Sequence, residues 1–422
     1  MKEKLFLYIF LFIIYYSAHS QDIGYARYLI DTLSSPAFSG RGYENGNDRK
    51  TAEFIARELQ KNKIKKIEKT FFQQLPISSN TFSNEYQLEL ENIDLNPGKD
   101  FYFTSNSCSL KGKFSVFKLN AQFLRDSLYP NSLSKIDFSN TFVLLDTVGL
   151  GVEDFKKINK PIFKDNILKC KGIIEPVAVL PPYYPTAESH NFVHALCLRS
   201  ALPDTMKFLN INLKNKEQKD YLSKNVAGIR KGEIDSFIVF TAHYDHLGQI
   251  GTKTYFPGAN DNASGVAILL NLAQYYAKTK KKPKYTIAFI FFTGEELGLL
   301  GSKYFSENPM FPLSKIKFLI NLDMVGSGDK GIQIVNSTVF KKEFALIDSI
   351  NSEKKYLPQI KKRGAAANSD HYFFYEKGVK SFFIYTLGEY KEYHNINDKA
   401  ENLPLSEYED LFRLLTEFVE KI

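Results

Sequence analysis

The chain has 422 residues, 55 Lys and Arg against 47 Asp and Glu, and a formal net charge of +8. That length exceeds one ordinary core, so two domains are expected. The basic excess is spread along the chain; its densest run, KTKKKPK at residues 278–284, reads as the solvated end of a helix and its turn, and no nucleic-acid partner is expected.

Residues 1–20 read as an export signal. Lys2 and Lys4 precede an unbroken apolar run over residues 5–16, and Ala18 and Ser20 place small residues before Gln21. The run is too short to span a bilayer. An uncleaved anchor is the alternative, and no Cys follows the run to suggest a lipoprotein. The expected location is periplasmic or extracellular, with no stable membrane insertion after cleavage.

Residues 21–77 form the first part of one domain. A Gly- and Asn-rich loop, SGRGYENGN, leads into a helix over residues 48–61, where Ala52, Ile55, Ala56 and Leu59 make one apolar face. A strand is expected over residues 69–77. From residue 78 to 223 the character changes to short aromatic and β-branched runs (YQLEL, FYFTS, FSVFKL, TFVLLDT, GIIEPVAVL), which read as a mostly β insert. His190 and His194 would make a metal pair only on a helix; without an accompanying Glu they read as surface or cleft-edge residues. Export permits one disulfide among Cys108, Cys170 and Cys197; Cys170–Cys197 is the preferred pairing, with free buried thiols as the alternative.

Residues 224–422 show an α/β rhythm. Strands are expected over residues 236–241, 285–293, 316–322 and 380–386. Helices are expected over 262–278, 295–306 and 405–422, the first with a stripe of Val266, Leu269, Leu270, Ala273 and Ala277. Continuous apolar strands alternating with helices indicate a sheet covered on both faces. Sites of such folds lie beyond the carboxyl ends of the strands.

Chemistry-bearing residues fall at those ends. His243 stands in TAHYDHLG, Asp261 in GANDNASG, Glu296 in FTGEELG, Asp323 in NLDMVG and His394 in EYHNINDK. Two imidazoles and three carboxylates are a donor set for two zinc ions. Two divalent ions against three carboxylates leave a positive cluster that can hold hydroxide at neutral pH. Glu295, beside Glu296, is placed to act as general base. Asp245 is placed to accept the other N–H of His243. Read singly, Asp261 could merely cap a helix, the Glu pair could favour a helix dipole, and His246 reads as structural or substrate-edge.

The order of these motifs resembles the co-catalytic di-zinc aminopeptidases, a family related to glutamate carboxypeptidases, glutaminyl cyclases and the transferrin-receptor ectodomain. The resemblance runs from about Asn225 to the C-terminus. It implies a zinc exopeptidase fold: a mixed, mostly parallel sheet sandwiched by helices, with a mostly β insert of the protease-associated type. It implies two Zn2+ per chain, bridged by Asp261, with His243 and Asp323 at one ion and Glu296 and His394 at the other. It implies Glu295 as base, and Asp370, His371 and Tyr393 beside the substrate cleft. His371 could replace His394 as ligand; Tyr393-His394 with Asp398 is the better match. The family also implies a cis bond between Asp261 and Asn262. The expected activity is that of an exported aminopeptidase acting on peptides through a metal-bridging hydroxide. A carboxypeptidase or dipeptidase is the alternative, and a glutaminyl cyclase or silent receptor-like module a more distant one.

Overall fold

The computed structural model describes residues 21–120, 136–146, 151, 153–154 and 159–422. The expected export signal lies outside the described residues. Among those described, no helix is long and apolar enough to cross a membrane.

Four parallel strands form the middle of the main sheet, in the order Tyr285–Phe292, Ile234–His243, Ile316–Leu322, Ser381–Thr386. Antiparallel neighbours flank them, Lys216–Arg230 on one side and Ile332–Val335 on the other. Every residue of Tyr285–Phe292 is buried. The reason is the period-2 alternation of a strand. Ile287, Phe289 and Phe291 face the larger core with helices Ile23–Leu33, Asn47–Lys61, Ser264–Lys278 and Tyr408–Lys421. Ala288, Ile290 and Phe292 face the other layer, against Phe305 of helix Leu300–Glu307 and Phe374 of helix Tyr372–Glu376. Each buried Phe contributes roughly 1.5–3 kcal/mol, so a strand without a polar face is what this sandwich requires.

The second sheet lies within the expected insert. Its eight strands run in the order Ile93–Asp94, Tyr86–Leu90, Phe208–Leu213, Leu110–Asn120, Thr141–Asp146, Gly172–Val177, Val193–Leu198, Phe101–Phe103. Tyr86, Phe101 and Phe103 pack as a ring cluster with centroids 4.9–5.9 Å apart. The two sheets are joined by a long ribbon: Phe72–Thr81 pairs antiparallel with Lys216–Arg230, from Phe72 opposite Val226 to Thr81 opposite Lys216. The expected boundaries after residues 77 and 223 fall inside this ribbon.

Two local expectations are corrected. The helix expected from residue 295 begins at Leu300, and Glu295 and Glu296 stand on the turn before it. Gly294, Gly298 and Leu299 have φ of +74°, +97° and +62°, which no continuous helix tolerates. The preferred disulfide is absent: Cys108, Cys170 and Cys197 are all free. Cys170 packs with Ile162, Ile173 and Phe192, whereas Cys197 packs with Val193, Ala195 and Phe101 in a different core. His194 lies on a strand, its Nε2 3.0 Å from Glu175, so His190 and His194 do not share a helix face.

Candidate metal centre

Three parallel strands deliver donors at their carboxyl ends. Ile234–His243 ends on His243, Ile316–Leu322 stops one residue before Asp323, and Tyr285–Phe292 stops three before Glu295. Asp261 comes from the turn that opens helix Ser264–Lys278, and its bond to Asn262 is cis. His394 comes from the loop after Ser381–Thr386, with φ of +51°.

The five side chains meet. His243 Nε2 is 3.3 Å from Asp261 Oδ1 and 3.4 Å from Asp323 Oδ1. His394 Nε2 is 3.1 Å from Asp261 Oδ2 and 3.1 Å from Glu296 Oε2. Asp261 thus offers one oxygen to each group. Glu295 approaches from the side, forming with His243 and Asp323 a set whose ligand atoms all lie within 4.8 Å of one another.

The donor set fits zinc. Zinc–ligand bonds of about 2.0–2.1 Å in a tetrahedron put neighbouring donors about 3.3 Å apart, as found here. Tautomers agree with this. His394 Nδ1 donates to the Tyr183 carbonyl at 2.8 Å, and His243 Nδ1 to the Asp245 carbonyl at 3.2 Å. Both Nε2 atoms therefore turn their lone pairs inward. Electrostatics also call for a cation. Burial opposes a charge on His394, but Glu296 and Asp261 outweigh it and lift the imidazole to about 11. Burial raises the Glu295 carboxyl well above the usual range, with Glu296 and Asp323 adding repulsion against the pull of His243.

Supporting contacts hold the donors. Thr241 Oγ1 donates to Asn321, Asn321 to Ser369, and Ser369 to Asp323 Oδ2, at 2.7, 2.8 and 2.9 Å. Asp398 accepts from the backbone N–H groups of Asn260 and Asp261 at 2.9 and 3.0 Å. Asp245 differs from expectation: its carbonyl takes the short bond from His243, and its carboxylate is 3.7 Å from Nδ1. That carboxylate instead accepts from Tyr43 at 2.7 Å and from the N–H groups of Glu295 and Glu296 at 3.2 and 3.4 Å. It anchors the turn that carries the Glu pair. His246 pairs through Nδ1 with Glu296 at 2.7 Å, which places it behind that carboxylate.

Some contributors had no signal in the sequence. Arg41, wholly buried, donates to the carbonyls of Leu33, Tyr244, Pro257, Gly258 and Asp261 at 2.8–3.0 Å. The insert also reaches the centre: the Tyr183 N–H donates to the His394 carbonyl at 3.0 Å, and the Tyr184 ring meets His394 edge-on at 5.0 Å. Tyr393 stacks on His394 with centroids 3.9 Å apart. Asp370 and His371 are both fully buried; Ser369 before them donates to Asp323 Oδ2 at 2.9 Å, and the following helix Tyr372–Glu376 docks through Phe374.

Known proteins resemble this chain in sequence and in fold. Residues 225–419 match the profile of Peptidase family M28. This part of the chain is similar to M28 peptidases. Aminopeptidase YwaD of Bacillus subtilis is 31% identical over 202 residues, which cover 45% of this chain and 43% of that protein. The chain therefore spans less than half the length of that relative. Two solved structures share the fold along nearly the whole chain. The zinc aminopeptidase BSAP from Bacillus subtilis has a TM-score of 0.69 at 21% identity, covering 96% of this chain and 95% of its own. The aminopeptidase from Aneurinibacillus sp. strain AM-1 has 0.62 at 17%, covering 95% and 94%. The M28 match begins at Asn225, so the insert and the N-terminal helices lie outside it while the fold likeness includes them.

Proposed function

We propose that the chain is an exported, zinc-dependent exopeptidase, and specifically an aminopeptidase releasing N-terminal residues from peptides. The observation that carries this reading is the pair of donor groups sharing Asp261, with Glu295 beside them. His243, Asp261 and Asp323 would hold one ion; His394, Asp261 and Glu296 would hold the other. Bound zinc supplies Lewis acidity toward the scissile carbonyl and lowers the pKa of water. Glu295 takes the proton from the attacking water and delivers it to the departing amine. Asp245 fixes the turn so that Glu295 and Glu296 diverge. Tyr393 and the insert's Tyr184 flank His394 and form the cleft beside it. In this reading residues 1–20 direct export, residues 21–77 and 224–422 make the catalytic domain, and residues 78–223 are an insert of the protease-associated type.

Purified mature protein should contain two zinc ions per chain and cleave aminoacyl chromogenic amides only when the α-amine is free. Equal cleavage of N-blocked substrates, or release of C-terminal residues, would favour the carboxypeptidase alternative. A metal content near zero after gentle purification would favour a silent module.

Two substitutions separate the donors from the base. Asp261→Asn should empty at least one ion position, seen by elemental analysis. Glu296→Gln should weaken zinc retention against a chelator. Full peptidase activity with one stable zinc would mean the two-ion arrangement is wrong.

A further inference from the structure

A cavity of about 300 Å³ opens beside the metal centre. Its inner wall includes Asn260 and Met324, the chain neighbours of Asp261 and Asp323. Tyr385 and Tyr390 supply phenol groups, and Lys330, Lys361 and Lys391 supply ammonium groups. No carboxylate lines it. Lys330 is paired with Glu389, and Lys391 donates to the Gly388 carbonyl at 2.7 Å. Lys361 and Lys391 form no ion pair among the described residues. A further cation stands behind: Arg363 donates to the Tyr385 hydroxyl at 2.9 Å, which turns that phenol into a polarised element of the wall. The volume suits one side chain rather than a folded partner. A concave wall of one sign concentrates field in its opening.

We propose that this cavity receives the side chain of the substrate's terminal residue and selects Glu and Asp. The inference rests on the aminopeptidase reading and names its substrate class. Lys361 and Lys391 attract the carboxylate; the Tyr385 hydroxyl is committed to Gln333 Oε1 at 2.8 Å and the Tyr390 hydroxyl to Asp398 Oδ1 at 2.9 Å, so the ammonium groups carry the selection. Met324 lies along its methylene stem, beside the centre where the peptide bond is cut. The lysines are exposed, so the selection is electrostatic and sensitive to salt.

The test compares Glu and Gln aminoacyl amides, which match in shape and differ in charge. The kcat/KM ratio should favour Glu on the order of tenfold at low ionic strength and shrink as salt is added. The double variant Lys361→Glu with Lys391→Glu should bring the ratio to one or below. Lys282→Glu, on a remote surface, controls for net charge and should keep the ratio. A second measurement needs no turnover: calorimetric titration of zinc-loaded Glu295→Gln protein with Glu-Ala-Ala and Gln-Ala-Ala, in the parent and the lysine-reversed background. A Glu:Gln ratio near one in both measurements, or one unmoved by lysine reversal, overturns the proposal. Failure to cleave any substrate with a free α-amine would instead sink the aminopeptidase reading, and the calorimetric ratio would still decide the cavity.

Discussion

Replacing Glu295 with Gln should lower kcat by about 10²- to 10⁴-fold, the range for loss of a general base, while both zinc ions remain bound. The amide keeps the size and the backbone of the carboxylate. The N–H of Glu295 still meets Asp245 at 3.2 Å, so the turn has no reason to move. What disappears is the carboxylate that takes the proton in the proposed reaction. The contrast with Glu296 makes this informative. Glu296 is tied to His394 at 3.1 Å and to His246 at 2.7 Å, the contacts on which its proposed role as a zinc donor rests. Glu295 has no such pair of imidazoles. The measurement is steady-state kinetics with elemental analysis on the same sample. Recovery of the Glu295→Gln enzyme by excess zinc would show that the two glutamates have exchanged roles.

The second large effect is expected at Arg41, in stability. Arg41→Met keeps most of the buried stem and removes every guanidinium donor. Five carbonyls then lose a donor in a region closed to water. An unsatisfied buried acceptor costs roughly 1–3 kcal/mol. These costs are not additive, and a total of about 4 kcal/mol is expected, at the upper end for single substitutions. Burial opposes the Arg41 charge and draws its pKa to about 10, while Asp261, Asp398, Asp245 and Glu296 favour the charge. The residue is therefore both a clamp on the turn that carries Asp261 and a nearby positive charge. Arg41→Met should unfold at a markedly lower urea concentration and retain less zinc. Unfolding at the parent's midpoint with full zinc content would show that the turn holds itself. Arg41→Lys, which keeps a charge but fewer donors, should fall between the two.

The sequence alone located the main-sheet strands closely. The strand expected over residues 285–293 is found as Tyr285–Phe292, and that expected over 316–322 as Ile316–Leu322. A buried parallel strand must be apolar throughout, and that requirement is written locally. The donors were legible for a related reason. A metal site at strand ends needs His, Asp or Glu immediately after an apolar run, and their order along the chain repeats a family pattern. Helix starts were less legible. The residues 295–299 look helical by composition, but glycine backbone and the anchoring of the turn by Asp245 delay the helix to Leu300.

Contacts between distant segments were decided only by the tertiary structure. Arg41 reaches the Asp261 carbonyl across 220 residues, and Tyr183 reaches His394 across 211. The second contact is made by a main-chain carbonyl, which any residue carries, so no side-chain pattern could announce it. The free cysteines follow the same logic: Cys170 and Cys197 are near in sequence but packed in different cores, a separation set by the sheet between them. The choice of candidate donors is therefore a local property of this chain. How those donors are oriented, and what stands beside them, depends on elements that only folding brings together.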